Sequence, residues 1–351
     1  MPTPYLAVDR DVLDRNLESV ADLAHDRSLW IRPHAKTHKC PEIAERQVQL
    51  GAVGLTVATV SEAETFTTAG FDDLFIAYPV WARGRSGERL RALAEKTRLR
   101  VGVDSAEGAH LLGRALRGTG AEAVVEVDSG HHRSGASPDQ AGDVALAAAA
   151  AGLRVVGAFT FPGHGYGPGR RRAAAAQEAA ALDAASRELR AKGIEATVRS
   201  GGSTPTLEMS DTSVLSEIRP GVYAFNDAQQ VELGSCGWDD VALSAVTTVV
   251  SRRHDRFILD AGSKVLGADQ PSWTSGAGRL PDHPQARITA LSEHHATVEF
   301  PDGRPALSLG DRVRVAPNHV CSAVNLSDEL VVFSNGEIVD RWRVAARGAN
   351  Q

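Results

Sequence analysis

The chain has 351 residues, 42% of them hydrophobic and 23% charged, and a formal net charge of −6. That length exceeds one ordinary compact domain and suits a barrel of about 250 residues with a smaller second domain. The acidic balance gives no support to a nucleic-acid partner, and no apolar run approaches the roughly 20 residues needed to cross a bilayer. Three cysteines, Cys40, Cys236 and Cys321, are too few and too far apart for a disulfide framework. The opening MPTPYLAVDRDVLDRNL lacks a basic start and an apolar core, so a cytoplasmic protein acting on a small molecule is expected.

In chain order, PYLAVD at 4–9 reads as a strand followed by a helix-like stretch, and it is expected to join a β domain further on. From 29 to about 227, short β-branched runs alternate with Ala-, Leu- and Glu-rich stretches, the pattern of parallel strands joined by crossover helices. Eight strands are predicted: 29–34, 53–59, 73–78, 99–104, 123–128, 155–160, 196–201 and 217–225. Apolar spacing near 3.6 predicts helices over 61–70, 86–97, 106–118, 137–151 and 171–192. Eight strands with right-handed crossovers favour closure into a TIM-type (β/α)8 barrel, an α/β fold, with an open doubly wound sheet as the competing arrangement. After Asn226 the helical stretches stop and alternating runs such as ALSAVTTVVS, RFILDAG, HATVEF and ELVVFS predict an all-β domain. The expected boundaries are 10–230 for the barrel and 231–351, with the strand at 1–9, for the β domain.

In such a barrel the chemistry lies on loops that follow the strands. Their sequences are polar and specific: Arg32-Pro33-His34-Ala35-Lys36-Thr37-His38-Lys39 after the first strand, and Asp128-Ser129-Gly130-His131-His132-Arg133-Ser134-Gly135 after the fifth. Gly163-His164-Gly165-Tyr166-Gly167, Ser200-Gly201-Gly202-Ser203-Thr204 and Arg219-Pro220-Gly221-Val222-Tyr223 follow the sixth, seventh and eighth. Any one alone reads as a surface loop, but five on one rim read as a site. Gly201, Gly202, Ser203 and Thr204 offer backbone N–H groups and hydroxyls to a phosphate. A lysine at the mouth among Arg32, His34 and His38 is suited to Schiff-base chemistry. A phosphate cradle and a poised amine together suggest pyridoxal phosphate.

The motifs TPYLAVD, RPHAKTHK, GLTVATVSEAE, DSGHHRSG, GHGYG, SGGSTP, RPGVYAFND, DAGSK and APNHVCSAVNL run along nearly the whole chain. Through them it resembles the family of D-threonine aldolases and D-serine dehydratases, pyridoxal-phosphate enzymes of the alanine-racemase-like fold, fold type III. The resemblance implies that Lys36 carries the cofactor as a Schiff base, with Lys39 the weaker candidate. Arg133 approaches the cofactor's phenolic oxygen, and His164 or Tyr166 lies near the pyridine ring. Ser203 and Thr204, with the amides of Gly201 and Gly202 and those around Gly221 and Tyr223, hold the phosphate.

A His and a Cys two apart are by themselves more often packing residues. Placed in a β strand, His319 and Cys321 would share one face and reach a single metal ion. The resemblance assigns this pair a divalent metal, and the thiolate favours zinc over manganese or magnesium. Aldolase members tend to carry an aspartate where this chain has Cys321, which leans the reading toward dehydration. The expected activity is D-serine dehydratase-like β-elimination to a 2-oxo acid and ammonia, with Lys36, His319 and Cys321 as the catalytic set. The alternatives are retro-aldol cleavage to glycine and an aldehyde, an amino-acid racemase, or a non-catalytic cofactor-binding protein. The resemblance also implies a homodimer.

Overall fold

The computed structural model describes residues 1–253, 256–301 and 307–351. The chain divides into two compact units. A barrel unit comprises Val20–Lys36, Ile43–Gly221 and Ala349–Gln351, and a β unit comprises Met1–Ser19, Thr37–Glu42 and Val222–Gly348.

The strands in chain order are β1 (Tyr5–Asp9), β2 (Trp30–Ile31), β3 (Leu55–Val57), β4 (Asp73–Pro79), β5 (Arg98–Val103), β6 (Glu122–Glu126), β7 (Arg154–Phe159), β8 (Val198–Gly201) and β9 (Glu217–Ile218). They continue as β10 (Leu243–Arg252), β11 (Arg256–Leu259), β12 (Arg287–Leu291), β13 (Ala296–Glu299), β14 (Arg312–Val315), β15 (Glu329–Ser334) and β16 (Glu337–Arg343). In the barrel unit, β2 to β9 form an eight-stranded parallel sheet in the order β2-β9-β8-β7-β6-β5-β4-β3. The sheet closes where the two ends of that order meet. Val53 N–H donates to the Ile31 carbonyl at 3.0 Å, Thr56 N–H donates to the Pro33 carbonyl at 2.8 Å, and His34 bridges Thr56. The expected barrel is therefore the one formed, and the open sheet is not.

Local sequence explains where its helices begin. Thr59 starts helix Val60–Thr68 by accepting the Glu62 N–H at 3.0 Å, while the Glu62 carboxylate accepts the Ala58 N–H at 2.6 Å. Thr59 is thus the N-cap, and Glu62 serves the amide one residue before it. Ser105 caps Ala106–Leu116 in the same way through Gly108 N–H. The strands are buried on both sides, as β5 and β6 show, which is why they read as continuous apolar runs. The predicted strand at 217–225 shortens to Glu217–Ile218. Pro220 has no N–H for a ladder, and Val222–Ala224 turns into a 3-10 helix.

Charge, as well as hydrocarbon, fills the barrel. Glu217 is 0% and Arg32 1% exposed, and Arg32 Nε donates to the Glu217 carboxylate at 2.9 Å. Arg32 also pairs with Asp73 at 2.5 Å, Arg100 pairs with Glu217 at 3.4 Å and with Glu122 at 2.6 Å, and the Ser200 hydroxyl donates to Glu217. Burial works against ionisation of Glu217, yet Arg32, Ser200 and Arg100 together hold it below the usual carboxylate range. Towards the strand ends, Phe75 and Phe159 meet edge to face at 5.0 Å, and the Arg219 guanidinium lies over both rings.

In the β unit the sheet order is β12-β13-β11-β10-β1-β15-β16, with β14 also on β10. The N-terminal strand is built into this sheet: β1 pairs antiparallel with β10 and parallel with β15. One strand had no sequence signal. In β16 six of the seven residues are exposed, so EIVDRWR carries no buried alternation, and its partner β15 defines it. The unit is also not wholly β, because Ala228–Glu232, Ser263–Leu266 and Val320–Leu326 are short helices.

Removing one partner of a buried ion pair strands the other charge. Glu217→Ala is therefore expected to cost about 3–5 kcal/mol in chemical denaturation. Asp282→Ala, which breaks the half-exposed pair with Arg314, is expected to cost no more than about 1 kcal/mol. Equal losses in the two variants would contradict a barrel held from within by charge.

Candidate functional site

Lys36 lies in the 3-10 turn Ala35–Thr37, just beyond the C-terminal end of β2. It lines a cleft of about 490 Å³ with His34, Ala58, Ala77, Tyr78, Pro79, Asp104, Arg133 and Ser134. Two of the predicted site residues, Lys36 and Arg133, are thus on one surface. Phe161, which the sequence reading passed over, joins them. Lys36 Nζ is 5.7 Å and the Arg133 guanidinium 5.1 Å from the centre of its ring. His131 meets that ring edge-on at 5.5 Å, and Tyr166 is tilted against it at 6.2 Å. An aromatic face is attractive to both cations. The available signal was a lone aromatic between the end of β7 and the glycine-rich turn.

Lys39 is directed elsewhere. It has φ of 55°, is 4% exposed, and its amine donates to Asn325 Oδ1 at 2.7 Å inside the β unit. The Lys39 amine is thus used as a hydrogen-bond donor within a packed turn.

His164 and Tyr166 occupy the 3-10 turn Gly163–Tyr166, outside the lining of the cleft, and His164 Nε2 is 2.8 Å from Gln177 Oε1. His131 is held below its ordinary range by burial and by the neighbouring Arg133 and His164. Gly201 ends β8, and Thr204 opens the 3-10 helix Thr204–Met209. The donors of this turn are partly committed within the protein. Gly202 N–H goes to the Glu178 carboxylate at 2.6 Å, and Ser203 N–H goes to Thr206 Oγ1 at 3.1 Å. Gly221 follows Pro220 at the end of the barrel unit, and Tyr223 is buried in the turn Val222–Ala224 of the β unit.

A second buried carboxyl stands beside the cleft. Glu126, 2% exposed at the end of β6, accepts the Ser134 hydroxyl at 2.9 Å, and its other oxygen has no hydrogen-bond partner among the described residues. Burial raises its pKa against the pull of Ser134 and Arg133.

In the β unit, His319 and Cys321 are not in a strand as expected. His319 is the N-cap of helix Val320–Leu326, and Cys321 is in its first turn. The cause is Asp227, fully buried, whose Oδ2 accepts the Val320 N–H at 3.1 Å and so starts a helix at that point. His319 keeps an extended backbone, with φ −130° and ψ 106°. That lets its ring turn back towards Cys321 although the two are two residues apart. Its Nδ1 is 3.6 Å from Asp227 Oδ2, and Cys321 Sγ is 3.2 Å from Thr37 Oγ1. Burial alone would lower the His319 pKa, but Cys321 and Asp227 raise it well above the usual imidazole range. Among the described residues no group of three or more His, Cys, Asp or Glu is arranged to hold a metal, so this pair offers two donors. Asp227 was in view as the last residue of RPGVYAFND, but nothing local tied it to a helix 93 residues on.

A family model for the alanine racemase N-terminal domain matches residues 8–229, and one for a serine dehydratase domain matches residues 242–333. The chain is 35% identical over 361 residues to D-threonine aldolase of Arthrobacter sp, an alignment covering 99% of this chain and 93% of that protein. It is 32% identical over 351 residues to D-threo-3-hydroxyaspartate dehydratase of Delftia sp. (strain HT23), covering 92% and 91%. Solved structures of D-threo-3-hydroxyaspartate dehydratase include a histidine-to-alanine mutant and, two positions on, a cysteine-to-alanine mutant in the metal-free form. They match with TM-scores of 0.91 and 0.90 at 28% identity, over 98% of this chain and 95% and 97% of theirs. With both domain models in place and relatives aligned from end to end, the chain belongs to the alanine-racemase-like family of D-serine dehydratases and D-threonine aldolases.

Proposed function

We propose that this protein is a pyridoxal-phosphate- and divalent-metal-dependent lyase of D-3-hydroxy amino acids, acting as a dehydratase that forms a 2-oxo acid and ammonia. The observation that carries the reading is the Lys36 amine in a concave cleft beyond the C-terminal strand ends, with Arg133 on the same wall. The relatives' names, an aldolase and a dehydratase of D-configured hydroxy amino acids, support the substrate class.

The residues fit the cofactor. Lys36 is the amine that would hold it, Arg133 the cation for its phenolic oxygen, and His164 or Tyr166 the neighbour of its ring. Thr204, the Ser203 hydroxyl and the amides around Gly201 and Gly221 would serve its phosphate, Gly202 N–H being given to Glu178. Pyridoxal phosphate supplies an electron sink for charge that develops at the substrate Cα. Lys36 Nζ would serve as the base for the Cα proton. The Phe161 ring lies beside both that amine and the Arg133 guanidinium.

His319 and Cys321 fit a metal that keeps open positions. Nδ1 of His319 faces Asp227, which leaves Nε2 for the ion, and an imidazole with a thiolate favours zinc. Such an ion supplies a Lewis acid for the departing β-hydroxyl. The dehydratase structures with a His and, two positions on, a Cys replaced by alanine, the latter in the metal-free form, support the assignment.

Retro-aldol cleavage is the second reading, favoured by the 35% identity to an aldolase. It needs the same residues but removes the hydroxyl proton in place of the Cα proton, giving glycine and an aldehyde. Purified protein given D-serine, D-threonine and D-threo-3-hydroxyaspartate separates the two. Oxo acid with ammonia, lost on chelation and restored by zinc, is expected, whereas glycine would overturn the dehydratase reading and racemised substrate would overturn both.

The metal site has its own test. Cys321→Ala is expected to lose stoichiometric metal, and Asp227→Asn to weaken metal affinity by about 10–100-fold through the orientation of His319. Undiminished metal content in Cys321→Ala, measured by atomic emission, would remove the pair from the site.

A further inference from the structure

Helix Arg171–Ala191 turns a face of Ala174, Ala175, Ala179, Ala181, Leu182, Ala185 and Leu189 inward, and in the middle of it stands Glu178. The side chain is 0% exposed. Its Oε1 accepts the Gly202 N–H at 2.6 Å, and its Oε2 has no hydrogen-bond partner among the described residues. The same carboxyl lies so close to Gly201 that any Cβ there would strike it. Gly202 has φ +76°, and a Cβ on it would press on Ile218 at 3.1 Å. Glu178 and Ile218 therefore occupy the room that side chains at 201 and 202 would need. Two successive glycines are the consequence.

We propose that Glu178 is a positioning residue for the phosphate-binding turn: it fixes Gly201 and Gly202 in place and admits a phosphate dianion there only as the neutral acid. The proposal rests on the pyridoxal-phosphate reading above. As a neutral acid, Glu178 offers one oxygen to Gly202 N–H and keeps a hydroxyl to donate. As a carboxylate, it puts a negative charge against the backbone that the phosphate must use. The charged group set against it is Arg219, and that guanidinium is shared with Glu217 and Glu126. Burial, opposed by Gly202 N–H and Arg219, pushes the Glu178 carboxyl up to about 7. A phosphate dianion at the turn pushes it further in the same direction. By linkage, ionisation of Glu178 weakens the phosphate by the same factor. The sign is fixed by the direction of the shift: the favourable arrangement is present when the carboxyl is protonated and is lost as pH rises through about 7.

Pyridoxal phosphate and pyridoxal, which lacks the phosphate, separate this effect from the titration of any lysine. Both affinities are measured for the apoprotein by tryptophan fluorescence between about pH 6.5 and pH 9, in the wild type and in Glu178→Gln, which mimics the neutral acid. In the wild type the ratio of the two affinities is expected to fall by about tenfold or more relative to Glu178→Gln. The same course in both proteins overturns the proposal. Should Glu178→Gln fail to fold, a wild-type ratio that stays level or rises with pH overturns it equally. A Lys36→Ala protein that binds pyridoxal phosphate as tightly as the wild type overturns the cofactor reading along with it.

Discussion

The carboxylate of Glu217 is the point on which the barrel turns. It sits without solvent between Arg32 of the segment that follows β2 and Arg100 of β5, with Ser200 of β8 as a further donor. Arg32 in turn reaches Asp73 at the start of β4. Directly and through Arg32, one buried anion on β9 is thus tied to β8, β5, β4 and the segment after β2, and β2 is one of the two strands between which the barrel closes. Desolvation makes each of these ions costly alone, so they hold together or not at all. Four residues beyond Arg32 the chain arrives at Lys36, and two beyond Glu217 it arrives at Arg219, so the geometry of the mouth is inherited from the charges beneath it.

Above that layer, the polar groups are organised by two apolar surfaces. Phe75 and Phe159 carry Arg219, and Phe161 carries Lys36 and Arg133. Aromatic faces attract such groups and so help to fix where they stand. Burial pushes up the carboxyls of Glu126 and Glu178.

Much of this was legible in the sequence, for reasons that can be named. The eight parallel strands announce themselves because both faces are buried and the intervening helices carry their own caps, as at Thr59 and Ser105. Lys36 and Arg133, which line one cleft, could be singled out because polar residues at strand ends stand out against apolar strands. The misses share one cause, dependence on a distant partner. Asp227 makes a helix of the segment after His319, which reads locally as a strand. The exposed β16 exists only because β15 pairs with it. Glu178 looks like one more polar residue of an alanine-rich helix until Gly202 is brought against it.

The central claim is that one particular amine, Lys36, bears the cofactor, and chemical fixation tests it most directly. Holoenzyme reduced with borohydride, digested and mapped by mass spectrometry should carry one reduced pyridoxyl group per chain, on the peptide containing Lys36. Label on Lys39, or spread over surface lysines, would contradict the account.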